Sequence, residues 1–445
     1  MHANGKSVHP TIFLRLRLRR ASAVFCALIA VLLSACNSEP ATNTPTELRS
    51  GTWHADITLP GGDAQLGVEL ARDGDTLSAT LINGTERVKV PNATFSDGRL
   101  TLQFPAFNNR IDAKLTETGL EGSLTLVKRY GKTQVMPFRA QPGARAQQTN
   151  QAAAGRDLSG RWAVNFTEDD GTVYPAVGEF QQRGNRLLGT FLTETGDYRF
   201  LGGSVHGDEL RLSTFDGAHA FLFTATLDDN DELTGKFWSG TESIEDWTAR
   251  RDETVALTDP SQLTMLREGY ERFEFTFPDE TGNSVSLDDP RFAGKVVIVT
   301  LAGTWCPNCH DEAALMAELY PKYRDQGVEI IALMYEHFED ADIARTQILK
   351  FREKFNIQYT TLLAGISDKT KAAETLPMLD RVLAFPTTIY IDRTGAVRNI
   401  HTGFSGPGTG EYYTKMKADM IALIDELVAE TPQTPLGSDP AVASH

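Results

Sequence analysis

The 445-residue chain is 41% hydrophobic and carries a formal net charge of −16 at pH 7. Its length predicts about two or three domains, and its apolar content is ample for packed cores. The acidity argues against a nucleic-acid partner, because nothing offsets phosphate repulsion and the basic run lies only at the extreme N-terminus.

Arg15, Arg17, Arg19 and Arg20 precede ASAVFCALIAVLL (21–33), an apolar run too short to span a bilayer comfortably as a mature helix. Residues 1–35 are therefore expected to be an export signal. The segment ends in LSAC, Leu33 to Cys36, which resembles the bacterial lipobox. That resemblance implies cleavage before Cys36 and a diacylglycerol on its thiol; an ordinary secretory leader with an incidental cysteine is the alternative. Asn37 resembles the outer-membrane sorting choice more than inner-membrane retention, and a polar tether over 36–47 follows. The expected location is the cell envelope, lipid-anchored and facing the periplasm. Of the four cysteines, Cys26 leaves with the leader and Cys36 is acylated, so Cys306 and Cys309 are the thiols left in the mature chain. In an oxidising compartment such a pair is a disulfide with a function or part of a metal site.

An internal repeat follows. SGTWHADITL (50–59) answers to SGRWAVNFTE (159–168), RDGDTLSATL (72–81) to QRGNRLLGTF (182–191), and DGRLTLQF (97–104) to HGDELRLSTF (206–215). Alternating runs punctuated by turn signals such as Asn83-Gly84 and Gly184-Asn185 predict two all-β antiparallel barrel or sandwich units, 48–141 and 157–251, of about eight strands each. Trp53 and Trp162 are expected to plug the barrel ends. Linkers are placed at 142–156 and 252–264 and a disordered tail at 431–445. The units carry no obvious chemistry, although a small apolar ligand or a docking partner suits a barrel of this size.

Residues 265–430 change period. A hairpin around Gly282-Asn283, the apolar strand KVVIVTLAG (295–303), a helix from about Pro307 to Arg324, and strands at 328–335, 359–364, 387–392 and 396–400 alternate with helices at 341–355, 368–380 and 411–429. That order predicts an α/β domain around a central mixed sheet.

GTWCPNCHDE (303–312) joins the buried strand to the first helix. Cys306 then lies at a helix N-terminus, where free N–H groups and the macrodipole favour a thiolate, with a pKa of roughly 3.5–7.5 at comparable sites. Pro307 suits the first turn. Cys309 lies one turn on, placed to resolve a mixed disulfide on Cys306. Zinc requires two of His310, His337 and His401 to join the pair. Haem attachment matches CPNCH as a motif, but the strand running into it and the α/β surroundings weigh against it.

With FEFTFPDETGNSVSLDD (273–289), GKVVIVTLAGTWCPNC (294–309), Glu312 and AFPTTIYIDRTGAVRNIHTG (384–403), residues 272–430 resemble the thioredoxin-fold domain of TlpA-like thiol-disulfide oxidoreductases. The resemblance covers a little over a third of the chain. It implies a redox-active disulfide between Cys306 and Cys309, a cis Pro386 facing the sulfurs, substrate pairing with the backbone of Phe385, and shielding by Trp305; a plain strand-start proline and plain aromatic packing are the alternatives for Pro386 and Trp305. It implies no cofactor. Where cytoplasmic thioredoxins carry a buried Asp this chain has Thr300, so another group must accept the proton of Cys309. Glu336, at the end of the next strand, is the candidate; a plain surface carboxylate is the alternative. His310 is expected on the helix surface.

The function implied is disulfide exchange with exported proteins, as a reductant fed by an upstream electron donor. Two alternatives stand beside it. One is a binding lipoprotein whose last domain senses redox state. The other is a thiol peroxidase, for which Gly303 stands where a peroxide-activating Thr is needed.

Overall fold

The computed structural model describes residues 47–145 and 156–430. The leader (1–35), Cys36, most of the tether, most of the first linker and the tail at 431–445 lie outside the described residues. Among the described residues no helix is long and apolar enough to cross a membrane.

The first β unit is a nine-stranded antiparallel meander from Gly51–Leu59 to Thr133–Pro142, and these two strands pair with each other. Burial alternates along most of its strands. Trp53, Ala55, Ile57 and Leu59 point inward along the first strand, as period-2 patterning requires. The second unit, Gly160–Thr167 to Ser243–Arg251, also has nine strands, of which eight close into a barrel when Val173–Arg183 pairs with Arg186–Thr193. Trp53 and Trp162 are both buried, and each indole N–H donates to the carbonyl four residues earlier, Arg49 and Leu158, at 3.0 Å.

The sequence predicts two barrel or sandwich units of about eight strands each; the two units instead differ in closure. In the first, strand Thr76–Asn83 gives its free edge to the hairpin strand Glu86–Lys89, so the sheet stays open as a half-barrel. In the second, the matching hairpin strand is only Gly196–Asp197, which leaves Arg186–Gly189 free to pair with Leu201–Ser204 and close the ring. The open core is completed from outside. Phe215, Ala220, Leu222 and Trp238 on the barrel's outer face join the hydrophobic cluster of the half-barrel, while Phe221 and Phe223 point inward. Gly61 lies so close to the Trp238 ring that a Cβ there would sit 2.3 Å from it. Buried polar ties hold the register: Asn83 Nδ2 donates to Phe215 O at 3.0 Å, and Gln65 N donates to Ser213 Oγ at 2.9 Å.

The C-terminal domain has a five-stranded mixed sheet. Its strands are β1 (Val296–Ala302), β2 (Val328–Glu336), β3 (Thr360–Ile366), β4 (Thr387–Ile391) and β5 (Val397–Thr402), in the order β3-β2-β1-β4-β5. β1 is parallel to β2 and antiparallel to β4. All seven residues of β1 are buried, as befits a central strand covered on both faces. The helices are α1 (Pro307–Tyr323), α2 (Ala341–Phe355), α3 (Lys369–Thr375) and α4 (Glu411–Ala429). α3 is shorter than expected; Leu376 N donates to Ala373 O and closes its last turn, and the chain then runs to β4 through an isolated bridge between Leu379 and Leu266.

Candidate active site

β1 ends at Ala302, and four residues later Cys306 caps α1 in an extended conformation, its Sγ accepting the Cys309 N–H at 3.2 Å. Pro307 takes the first helical position. The two sulfurs are bonded, with Cα atoms 5.2 Å apart. Both cysteines are buried, Cys306 at 5% exposed and Cys309 at 1%. Opposite them the Phe385-Pro386 peptide is cis, and Phe385 O lies 3.2 Å from Cys306 Sγ. Trp305 donates its indole N–H to Tyr335 O at 2.8 Å, stacks on His337 with ring centroids 4.8 Å apart, and meets the Phe385 ring edge-on.

Glu336, the last residue of β2, is buried rather than on the surface. It accepts from Thr304 N at 3.0 Å and from Thr304 Oγ1 at 2.6 Å, and burial pushes its pKa up to about 7. A second carboxyl, Glu312, was legible only as a motif residue. It sits three residues past Cys309 on α1 and accepts from the hydroxyls of Thr300 and Thr388; burial pushes it up to about 7 as well. Thr300 thus contacts a buried carboxyl contributed by the helix. The spacing of Glu312 from Cys309 is the signal that could have marked it.

His310 departs from expectation. It is buried, because Phe107 of the half-barrel stacks on it at 4.3 Å while Phe351 and Phe355 meet its edges. Nε2 lies 2.7 Å from Thr304 O and Nδ1 2.8 Å from Lys354 Nζ, so the ring donates to the carbonyl and accepts from the ammonium. Burial and the Lys354 charge hold its pKa well below the usual histidine range. His337 bonds Ser367 at 2.7 Å and His401 lies on β5. Among the described residues no three His, Cys, Asp or Glu side chains are grouped to hold a metal ion.

Sequence reasoning missed the β-unit residues that reach this helix. Asn308, between the cysteines, donates to Asp197 of the barrel at 2.8 Å and to Phe404 O at 3.1 Å. Arg199, 13% exposed, pairs with Asp311 of α1, Glu86 of the half-barrel (2.8 Å) and Asp216 of the barrel (3.3 Å). Burial pushes Asp311 up to about 7. Asn308–Asp197, Arg199–Asp311 and Arg199–Glu86 are each about 110 residues apart in the chain, and no local pattern announces them.

A vicinal cysteine pair capping a helix, opposite a proline loop on a mixed sheet, defines a thioredoxin-fold domain built for dithiol–disulfide exchange. The AhpC/TSA family pattern matches residues 269–400. The thiol-disulfide oxidoreductase ResA of Geobacillus kaustophilus is 32% identical over 143 residues, which is 32% of this chain and 74% of that protein. ResA of Bacillus thuringiensis subsp. konkukian is 33% identical over 129 residues; the match covers 29% of this chain and 66% of that protein, just under two thirds of its length. Among solved structures, a thiol:disulfide interchange protein from Chlorobium tepidum is 17% identical with a TM-score of 0.28, covering 37% of this chain and 99% of that one. Through its C-terminal domain the chain belongs to the thiol-disulfide oxidoreductases of the AhpC/TSA family.

Proposed function

We propose that the protein reduces disulfides in exported proteins from the periplasmic side of the cell envelope, tethered by a lipid on Cys36 once residues 1–35 are removed, with the outer membrane favoured. The observation that carries the exchange reading is the placement of Cys306: an N-cap sulfur receiving the Cys309 N–H and facing Phe385 O.

In the reducing direction the Cys306 thiolate attacks a client disulfide. A Cys306–client bond forms and the second client sulfur leaves as a thiolate that takes up a proton. Cys309 then loses its proton and attacks Cys306; the Cys306–Cys309 bond forms and the first client sulfur leaves. Two electrons pass to the client, and an upstream dithiol donor restores the pair. Glu336 and Glu312 are the candidate acceptors for the Cys309 proton, since a buried carboxyl with a pKa near 7 takes and returns a proton near neutrality. The backbone at Phe385 and Pro386 and the indole of Trp305 frame the client.

We read the two β units as copies of one duplicated meander, supported by nine strands in each and by the paired Trp53 and Trp162 contacts, with boundaries at 48–141 and 157–251 and the redox domain at 265–430. Insulin reduction by the purified protein tests the activity. Loss of turnover in both Cys306→Ser and Cys309→Ser, with a trapped mixed disulfide only in Cys309→Ser, is the expected result. Equal turnover in the Cys306→Ser protein contradicts it.

A further inference from the structure

The loop between the cysteines is held by a residue that belongs to the barrel. Asp197 lies on the short strand Gly196–Asp197, fixed by pairing with Leu192 and Thr193. Its Oδ2 accepts from Asn308 Nδ2 at 2.8 Å and from Gly406 N at 2.6 Å, and its Oδ1 accepts from Arg199 N at 2.6 Å. All three partners are donors, which suits a carboxylate. Burial acts against the charge and raises its pKa. Gly196 approaches the motif so closely that a Cβ there would lie 3.0 Å from Asn308 Oδ1, and its φ of 149° lies in the region that favours glycine. One turn along, Arg199 of the same loop grips Asp311. The barrel thus anchors α1 on either side of Cys309.

We propose that Asp197 is a positioning residue for dithiol–disulfide exchange, acting through Asn308 to hold the Cys306–Cys309 loop in its ring-closed geometry and so to set how readily the disulfide opens. The proposal rests on the redox reading of the cysteine pair given above.

The physical reason is pre-organisation. A loop held with the two cysteines in bonding geometry gives their sulfurs a high effective concentration for each other, which favours the closed disulfide over the dithiol. Releasing Asn308 frees the loop and favours the dithiol. Because Asp197 is 9% exposed and lies more than one hundred residues from the motif, it does this as a fixed part of the fold.

The test is the equilibrium of the full chain with glutathione. The protein disulfide and two glutathione thiols give the protein dithiol and one glutathione disulfide; two electrons and two protons pass to the protein. In Asp197→Asn the dithiol is expected to gain by about threefold or more in the equilibrium constant, about 14 mV for this two-electron couple. Asp197→Ser is expected to shift it the same way. In an Asn308→Ala background the Asp197→Asn shift should fall to less than half.

An unchanged constant in folded Asp197→Asn and Asp197→Ser overturns the proposal. So does an equal shift with and without Asn308, and so does failure of both variants to fold, which makes Asp197 a residue of stability alone. A wild-type pair that does not exchange with glutathione overturns the redox reading itself. Wild-type exchange with no variant effect overturns only the role of Asp197.

Discussion

The ring of Phe107, in the half-barrel, lies 4.3 Å from the ring of His310, the residue that follows Cys309, at an interplanar angle of 15°. Lys354 Nζ sits 5.2 Å from the centre of the same Phe107 ring and bonds His310 Nδ1. The β unit therefore seals one flank of the redox helix from water.

Phe107→Ala should cost about 1–3 kcal/mol, below the full-burial range because the ring is only half-buried. Water reaching Lys354 should also lift its pKa back from about 8 toward the ordinary lysine value. Urea midpoints and a titration of Lys354 check both. An unchanged midpoint with an unchanged lysine contradicts the seal.

Glu312 and Glu336 give a pH signature. Burial raises both from 4.5 to about 7, so between those values the folded chain binds more protons than the unfolded one. Their contribution to stability is therefore greatest below about pH 4.5 and is lost as pH rises through about 7, by roughly 3 kcal/mol for each carboxyl. Relative to wild type, Glu336→Gln and Glu312→Gln should gain stability on going from pH 5 to pH 8. If one of them accepts the Cys309 proton, its Gln variant should also lose the pH dependence of thiol oxidation near 7. Parallel stability curves contradict the burial account.

Arg199 balances carboxylates from the half-barrel, the barrel and α1. Arg199→Leu leaves them unpaired and should cost about 3–5 kcal/mol at pH 8. The cost should shrink at pH 5, because Asp311, raised by burial to about 7, then holds a proton in the folded state. Denaturation at the two pH values decides it, and a cost independent of pH would show that the cluster is not electrostatically coupled.

Leu222 is fully buried on the barrel's outer face within the half-barrel's core. Leu222→Ala should cost about 2–5 kcal/mol and speed proteolysis of the first β unit. A loss under about 1 kcal/mol with unchanged proteolysis would mean the units do not share a core.

Local features were legible in the sequence because their causes are local. KVVIVTLAG followed by TWCPNC announces a buried strand entering a capped helix, and Gly282-Asn283 marks a hairpin that the structure places between Thr276–Pro278 and Ser284–Ser286. Closure of the β units was not legible, since it turns on whether a hairpin strand is four residues or two. Nor was the burial of His310, whose covering ring comes from Phe107, about two hundred residues earlier. AFLF at 220–223 carried an unread sign: apolar residues on both faces of a strand mean that both faces are covered.

The exchange chemistry depends on Cys306 being held as a thiolate by the N-terminus of α1, which it caps. Alkylation by iodoacetamide at pH 6 of reduced Cys309→Ser protein, beside free glutathione, tests it most directly. Cys306 should react at least about tenfold faster than glutathione. A rate equal to or below that of glutathione contradicts it.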